Sequence, residues 1–172
     1  MHAGWDPPYT DAEITPREAL LNDLSLHSTR LEDDDTYNSF LQPPLVDYVE
    51  TQKPRVLFVG HGETDNRAHS GRYDLALASA HEFDHFVAEL WNTMQQMPEC
   101  RGQTTFVITT DHGSGPEEWK EHGKDQKGSE NIWLAVIGPD TPPLGQRSGV
   151  APITQSQIAA PPVQGVLGTK QE

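Results

Sequence analysis

Hydrophobic and polar positions are spread unevenly along the chain. Residues 1–43 hold two proline-rich patches, GWDPPYTD and LQPP, around a polar stretch with the acidic run Glu32-Asp33-Asp34-Asp35. In this region only EALLNDLSL (18–26) sets Leu20, Leu21 and Leu24 at helical spacing. The region reads as a weakly structured lead-in. Pro44 suits the first turn of a helix, so PLVDYVETQ predicts a short one. PRVLFVG (54–60) is a continuous apolar run closed by glycine, the pattern of a strand covered on both faces. The polar, glycine-rich GHGETDNRAHSGRYD then predicts a loop.

From Asp74 to about Met97, Leu77, Phe83, Phe86, Val87, Leu90, Trp91 and Met94 recur three and four apart and draw one apolar face of a long helix. Pro98 and Gly102 end it. TTFVITT (104–110) predicts a second buried strand, a polar loop fills 111–130, and NIWLAVIG (131–138) predicts a third strand. TQSQIAA begins like a helix capped by Thr154, and Pro161-Pro162 leave 161–172 as a frayed tail. Strand, long helix, strand, long loop and strand define an α/β domain over 44–160 with a mainly parallel sheet, whose strand carboxyl ends carry function.

Charge narrows the partners. Twelve Lys and Arg stand against 26 Asp and Glu, a formal net charge of −14. Nucleic acid and anionic membrane surfaces are therefore not expected as partners. The lone Cys100 excludes an intrachain disulfide and a cysteine zinc site. No apolar run approaches spanning length, and MHAGWDPPYTD lacks a basic-then-apolar signal pattern, so a soluble chain is expected with its compartment open.

The chemistry gathers at two strand ends. The first strand runs into Glu63, Asp65 and His69, and the second into Asp111 and His112, with His122 ten residues further on. Imidazole nitrogens and carboxylate oxygens suit zinc, manganese or iron without any cysteine. Asp65 and His69 sit four apart, so one turn aims both at a single point. Asp111 and His112 are adjacent and converge only in a turn beyond the strand.

Other residues carry weaker expectations. His81 and His85 lie four apart on the long helix and could bind a metal, with a partly exposed structural role favoured. His61 is placed either behind the site or in solvent. Trp119 could wall a pocket or pack on its own segment. Arg67, Arg72 and Lys120 are the basic groups near the constellation, with salt bridges to carboxylates as their default.

ETDNRAHSGRYD, TTDHGSGPEEWKEHG, GSENIWLAVIGPDTP and APITQSQIAA resemble the carboxyl-terminal part of alkaline phosphatase superfamily proteins, over about residues 15–160. The resemblance implies a three-layer α/β/α sandwich, incomplete at its amino terminus, and hydrolysis of phosphate or sulfate esters. It implies two divalent ions, zinc first and manganese or iron as alternatives. Asp65, His69 and His122 would hold one ion, and Asp111 and His112 the other. The substrate would be a small anionic phosphate or sulfate ester. The family's Ser or Thr nucleophile and a further metal-binding Asp follow a strand that has no counterpart before Pro54, which leaves a catalytically inactive metal-binding fragment or an acidic interaction module as alternatives.

Overall fold

The computed structural model describes residues 15–28, 31, 36–116, 118–147 and 152–158. The expectations for GWDPPYTD, the 32–35 acidic run and the tail 161–172 lie outside these residues.

Four helices and two strands make up the described chain, in the order α1 (Pro16–His27), α2 (Asn38–Gln52), α3 (Glu63–His69), α4 (Tyr73–Gln96), β1 (Phe106–Thr109) and β2 (Leu134–Ile137). Thr15 caps α1 by accepting the Glu18 N–H at 3.1 Å, and Pro16 occupies the first turn, where its missing N–H costs nothing. An Arg17–Asp47 ion pair of 3.0 Å joins α1 to α2.

Pro44 does not open α2. The helix starts at Asn38, so Pro43 and Pro44 sit inside it and residues 38–43 are helical. Each proline lacks a helical donor, and burial of Pro44 beside Leu45 against the core offsets that loss. At the other end Lys53 takes a left-handed conformation, φ 49°, its N–H bonded to Val49 O at 3.1 Å.

The apolar stripe of α4 buries in its second half, while Leu77 near its start stays exposed. Phe86 and Leu90 bury against Leu45 and Val49 of α2 to form the core, with Val46, Val59, Met94, Met97 and Phe106 packed around it. Phe106 also meets Trp91 edge-on at 5.3 Å, which ties β1 to the helix.

The sheet departs from expectation in three ways. First, β1 and β2 pair antiparallel, with Phe106 opposite Ile137 and Thr109 opposite Leu134. A parallel return needs a crossover, usually helical, whereas the connection from 110 to 133 folds as consecutive turns that bring the chain straight back. Second, PRVLFVG is not a strand: among the described residues the sheet is two-stranded, and 54–60 has no ladder partner. A strand is defined by its neighbours, and without one Val56, Leu57 and Phe58 stay exposed, Phe58 at 93 %. Third, β1 and β2 are half open rather than interior, with Val107, Leu134, Val136 and Ile137 exposed.

The expected loop after Gly62 contains a seven-residue helix, α3. It has no apolar stripe because it is anchored by polar groups, with Glu63 and Asn66 as its buried residues. Near the end of the chain Thr154 starts only a short 3₁₀ turn, Gln155–Gln157, with the Thr154 N–H donated to Gln157 Oε1 at 2.8 Å.

Candidate metal centre

Helix α3 sets the first half of the site. Its four-residue spacing puts Asp65 Oδ2 3.2 Å from His69 Nε2. His122, from the loop between β1 and β2, reaches the same point: its Nε2 lies 3.0 Å from His69 Nε2 and 3.5 Å from Asp65 Oδ2. One ligand atom from each of the three residues falls within 4.8 Å of the others, and all three side chains are partly buried. In a tetrahedral site with bonds of about 2.0–2.1 Å, ligand atoms stand about 3.3 Å apart. The observed triangle of 3.0, 3.2 and 3.5 Å matches that edge, so these residues fit a borderline divalent cation.

The second half adjoins the first. Beyond β1 the chain turns, and His112 Nε2 comes within 3.5 Å of Asp111 Oδ2, so the adjacent pair converges as a turn permits. The His112 ring stacks on His122 at 3.6 Å with 16° between planes. Asp111 itself projects into solvent, its side chain 87 % exposed. The Gln155 amide donates to Asp111 O and to Thr110 O, which tethers the 3₁₀ turn to this end of β1.

Glycine decides how the ligand loop closes. Gly113 N–H bonds Ser129 O at 2.8 Å, and a Cβ there would lie 2.4 Å from Asn131 O and 2.9 Å from Gly128 O. The Asp-His-Gly sequence therefore combines two donors with the one residue small enough to let the loop fold back beneath them. Buried Ser129 accepts the Gly123 N–H through its Oγ at 3.1 Å, fixing the residue after His122.

Behind α3 lies a buried polar brace. Glu63 Oε2 accepts the Asn38 N–H at 2.9 Å, and Glu63 Oε1 pairs with Arg67 at 3.2 Å. Arg67 covers the Tyr37 ring at 5.4 Å. Asn38 Oδ1 in turn accepts from His61 Nδ1 at 3.1 Å, and the His61 ring lies against Phe83 and Phe86. His61 is thus a supporting residue, not a solvent one. Burial in that apolar niche lowers its pKa from the ordinary 6.5, and the Glu63 charge opposes only part of the effect.

The remaining candidates settle into local roles. Arg72 pairs with Asp74 at 2.7 Å and Lys120 with Glu118 at 3.8 Å, so both, like Arg67, have carboxylate partners. Trp119 packs edge-on against Tyr73 at 5.2 Å, fastening the ligand loop to the start of α4. Two lysines not singled out from sequence, Lys124 and Lys127, line a cavity of about 690 Å³ with His112, His122 and Ser129 and with the carboxylates Asp125 and Glu130. Their signal was basic charge within a ligand-bearing loop of an acidic chain.

The class is set by the family comparison, with which the histidine and carboxylate cluster is consistent: the alkaline phosphatase superfamily. Within it, residues 2–131 match the family of type I phosphodiesterases and nucleotide pyrophosphatases, and the chain belongs to that family. Asp65, His69, Asp111, His112 and His122 all lie inside the matched span. No curated protein and no solved structure matches the chain. No helix among the described residues is long and apolar enough to cross a membrane.

Proposed function

We propose that this chain carries the metal centre of a hydrolase acting on small phosphodiesters or pyrophosphates. The observation that carries the reading is the convergence of Asp65, His69 and His122 within 4.8 Å, in a chain of the phosphodiesterase and pyrophosphatase family. Asp65, His69 and His122 hold one divalent ion, and Asp111 with His112 supply ligands to a second. Zinc is the first choice for this mixed donor set, with manganese or iron as alternatives. The bound ions would supply Lewis acidity to both the entering and the leaving oxygen of an in-line displacement.

The chain's own groups do the rest. The Glu63, Arg67 and Asn38 brace holds α3 so that Asp65 and His69 keep their aim. Lys124 and Lys127 line the cavity beside the histidines and offset the charge of Asp125 and Glu130 there, so that the bound ions would supply the attraction for an anionic ester. The ligand-bearing unit is the domain expected over 44–160, extended back to Asn38 because α2 and the Glu63 brace include that residue, and the family membership supports reading it as part of an α/β/α sandwich. The attacking hydroxyl is unassigned among the described residues.

A second reading, metal binding without turnover, is favoured by the 54–60 segment, which has no ladder partner among the described residues and leaves Val56, Leu57 and Phe58 exposed. Turnover of bis(4-nitrophenyl) phosphate with added Zn²⁺ separates the two. The first reading expects metal-dependent hydrolysis that Asp65→Ala lowers by at least about 10–100-fold, the loss typical when even a supporting group of a metal site is removed. Zinc binding without detectable hydrolysis selects the second reading.

A further inference from the structure

We infer that the exposed face of α4 carries an accessory two-histidine site for a first-row divalent cation, formed by His81 and His85 and separate from the Asp65 centre. The two residues are one helical turn apart, and their Nε2 atoms lie 3.1 Å from each other, with ring centroids 4.4 Å apart. Both face solvent on a helix whose opposite side is fixed in the core by Phe86 and Leu90. Two imidazoles bonded at about 2.0–2.1 Å to one ion stand about 2.9 Å apart at right angles and about 3.3 Å apart in a tetrahedron. The observed 3.1 Å lies between these, so a cation can replace the hydrogen bond now joining the rings with shifts of a few tenths of an ångström.

The pair differs in kind from the first centre. No carboxylate completes a three-ligand group here among the described residues, so two protein nitrogens hold the ion and its other positions face water. Neutral nitrogen donors with an open coordination sphere favour the late first-row ions, and Cu²⁺ above Ni²⁺ or Zn²⁺. The ligand is thus a hydrated divalent copper, nickel or zinc ion, with affinity resting on the rigidity of the helix rather than on enclosure.

Paramagnetic broadening by Cu²⁺ reads the site locally. In ¹⁵N-labelled full chain, substoichiometric Cu²⁺ should erase amide signals around 78–88. His81→Gln and His85→Gln keep a good helix former at an exposed position, so folding is retained. Each single variant should weaken the α4 broadening by about tenfold or more, because a chelate needs both rings, while broadening around 65–69 and 122 persists. Signals around 78–88 that are unaffected in the wild type, or that are broadened as strongly in either single variant as in the wild type, would overturn the inference.

Discussion

At the scale of single residues, the site depends on side chains whose surroundings leave them one option. His61 is the clearest case, wedged between Phe83 and Phe86 with its Nε2 buried and without a hydrogen-bond partner. Desolvation lowers its folded pKa below 6.5, while the unfolded value stays near 6.5. The unfolded chain therefore binds the extra proton first as pH falls. The stability contributed by neutral His61 is complete above about pH 6.5 and is lost as pH drops from there through the lowered folded value. Melting temperatures between pH 8 and pH 5 should fall less steeply in His61→Phe than in the wild type. Equal slopes would remove His61 from the acid sensitivity of this fold.

At the scale of elements, α3 is the piece on which the centre turns. It is short, and short helices are held by tertiary contacts rather than by propensity. Here the contact is polar: Glu63 accepts from Asn38 and Arg67 in a nearly buried position. Glu63→Ala leaves both donors without that acceptor and should cost about 1–3 kcal/mol. Thermal melting should show the loss, and zinc affinity at Asp65 and His69 should fall with it. Unchanged affinity would mean that α3 keeps its aim without the brace.

This element also shows where sequence patterns inform and where they do not. The long helix is legible because Phe86 and Leu90 bury at its apolar period, and the β1 and β2 runs are legible as strands from their β-branched, apolar composition although most of their apolar side chains stay exposed. Helix α3 is not, since what it buries is Glu63 and Asn66, and a polar anchor reads as loop. The early start of α2 hides behind Pro43 and Pro44. PRVLFVG has strand composition, but pairing depends on a neighbour that composition does not encode. The pairing of Asp65 with His69 is suggested by donor type and spacing and the addition of His122 by the family resemblance, yet the His112–His122 stack and the lysines beside it depend on how the 111–130 loop closes over Gly113.

At the scale of the whole molecule, a small core coexists with much open apolar surface. Leu45, Val49, Phe86 and Leu90 form the core, while Val56, Leu57 and Phe58, together with parts of β1 and β2, remain in water. A cleft of about 230 Å³ lies between α2 and this segment, lined by Leu41, Leu45, Tyr48, Leu57 and Phe58. Exposed apolar groups of this kind bind hydrophobic dyes. The folded chain should enhance anilinonaphthalene sulfonate fluorescence, and Phe58→Ser should reduce the signal while leaving the far-ultraviolet circular dichroism intact. Full signal in the variant would place the dye elsewhere.

The acidity of the chain and its family membership meet at the metal. With a net charge of −14, the proposed anionic ester would need the charge of bound cations at the ligand cluster, since Lys124 and Lys127 beside it are matched by Asp125 and Glu130. Calorimetric titration of the metal-free chain with Zn²⁺ tests this most directly, with Asp65→Ala and His122→Ala measured beside it. The wild-type chain should bind zinc, and each substitution should weaken the Asp65 centre by about tenfold or more. A wild-type chain that takes up no zinc, or variants that bind as tightly as the wild type, would contradict a metal centre built on Asp65, His69 and His122.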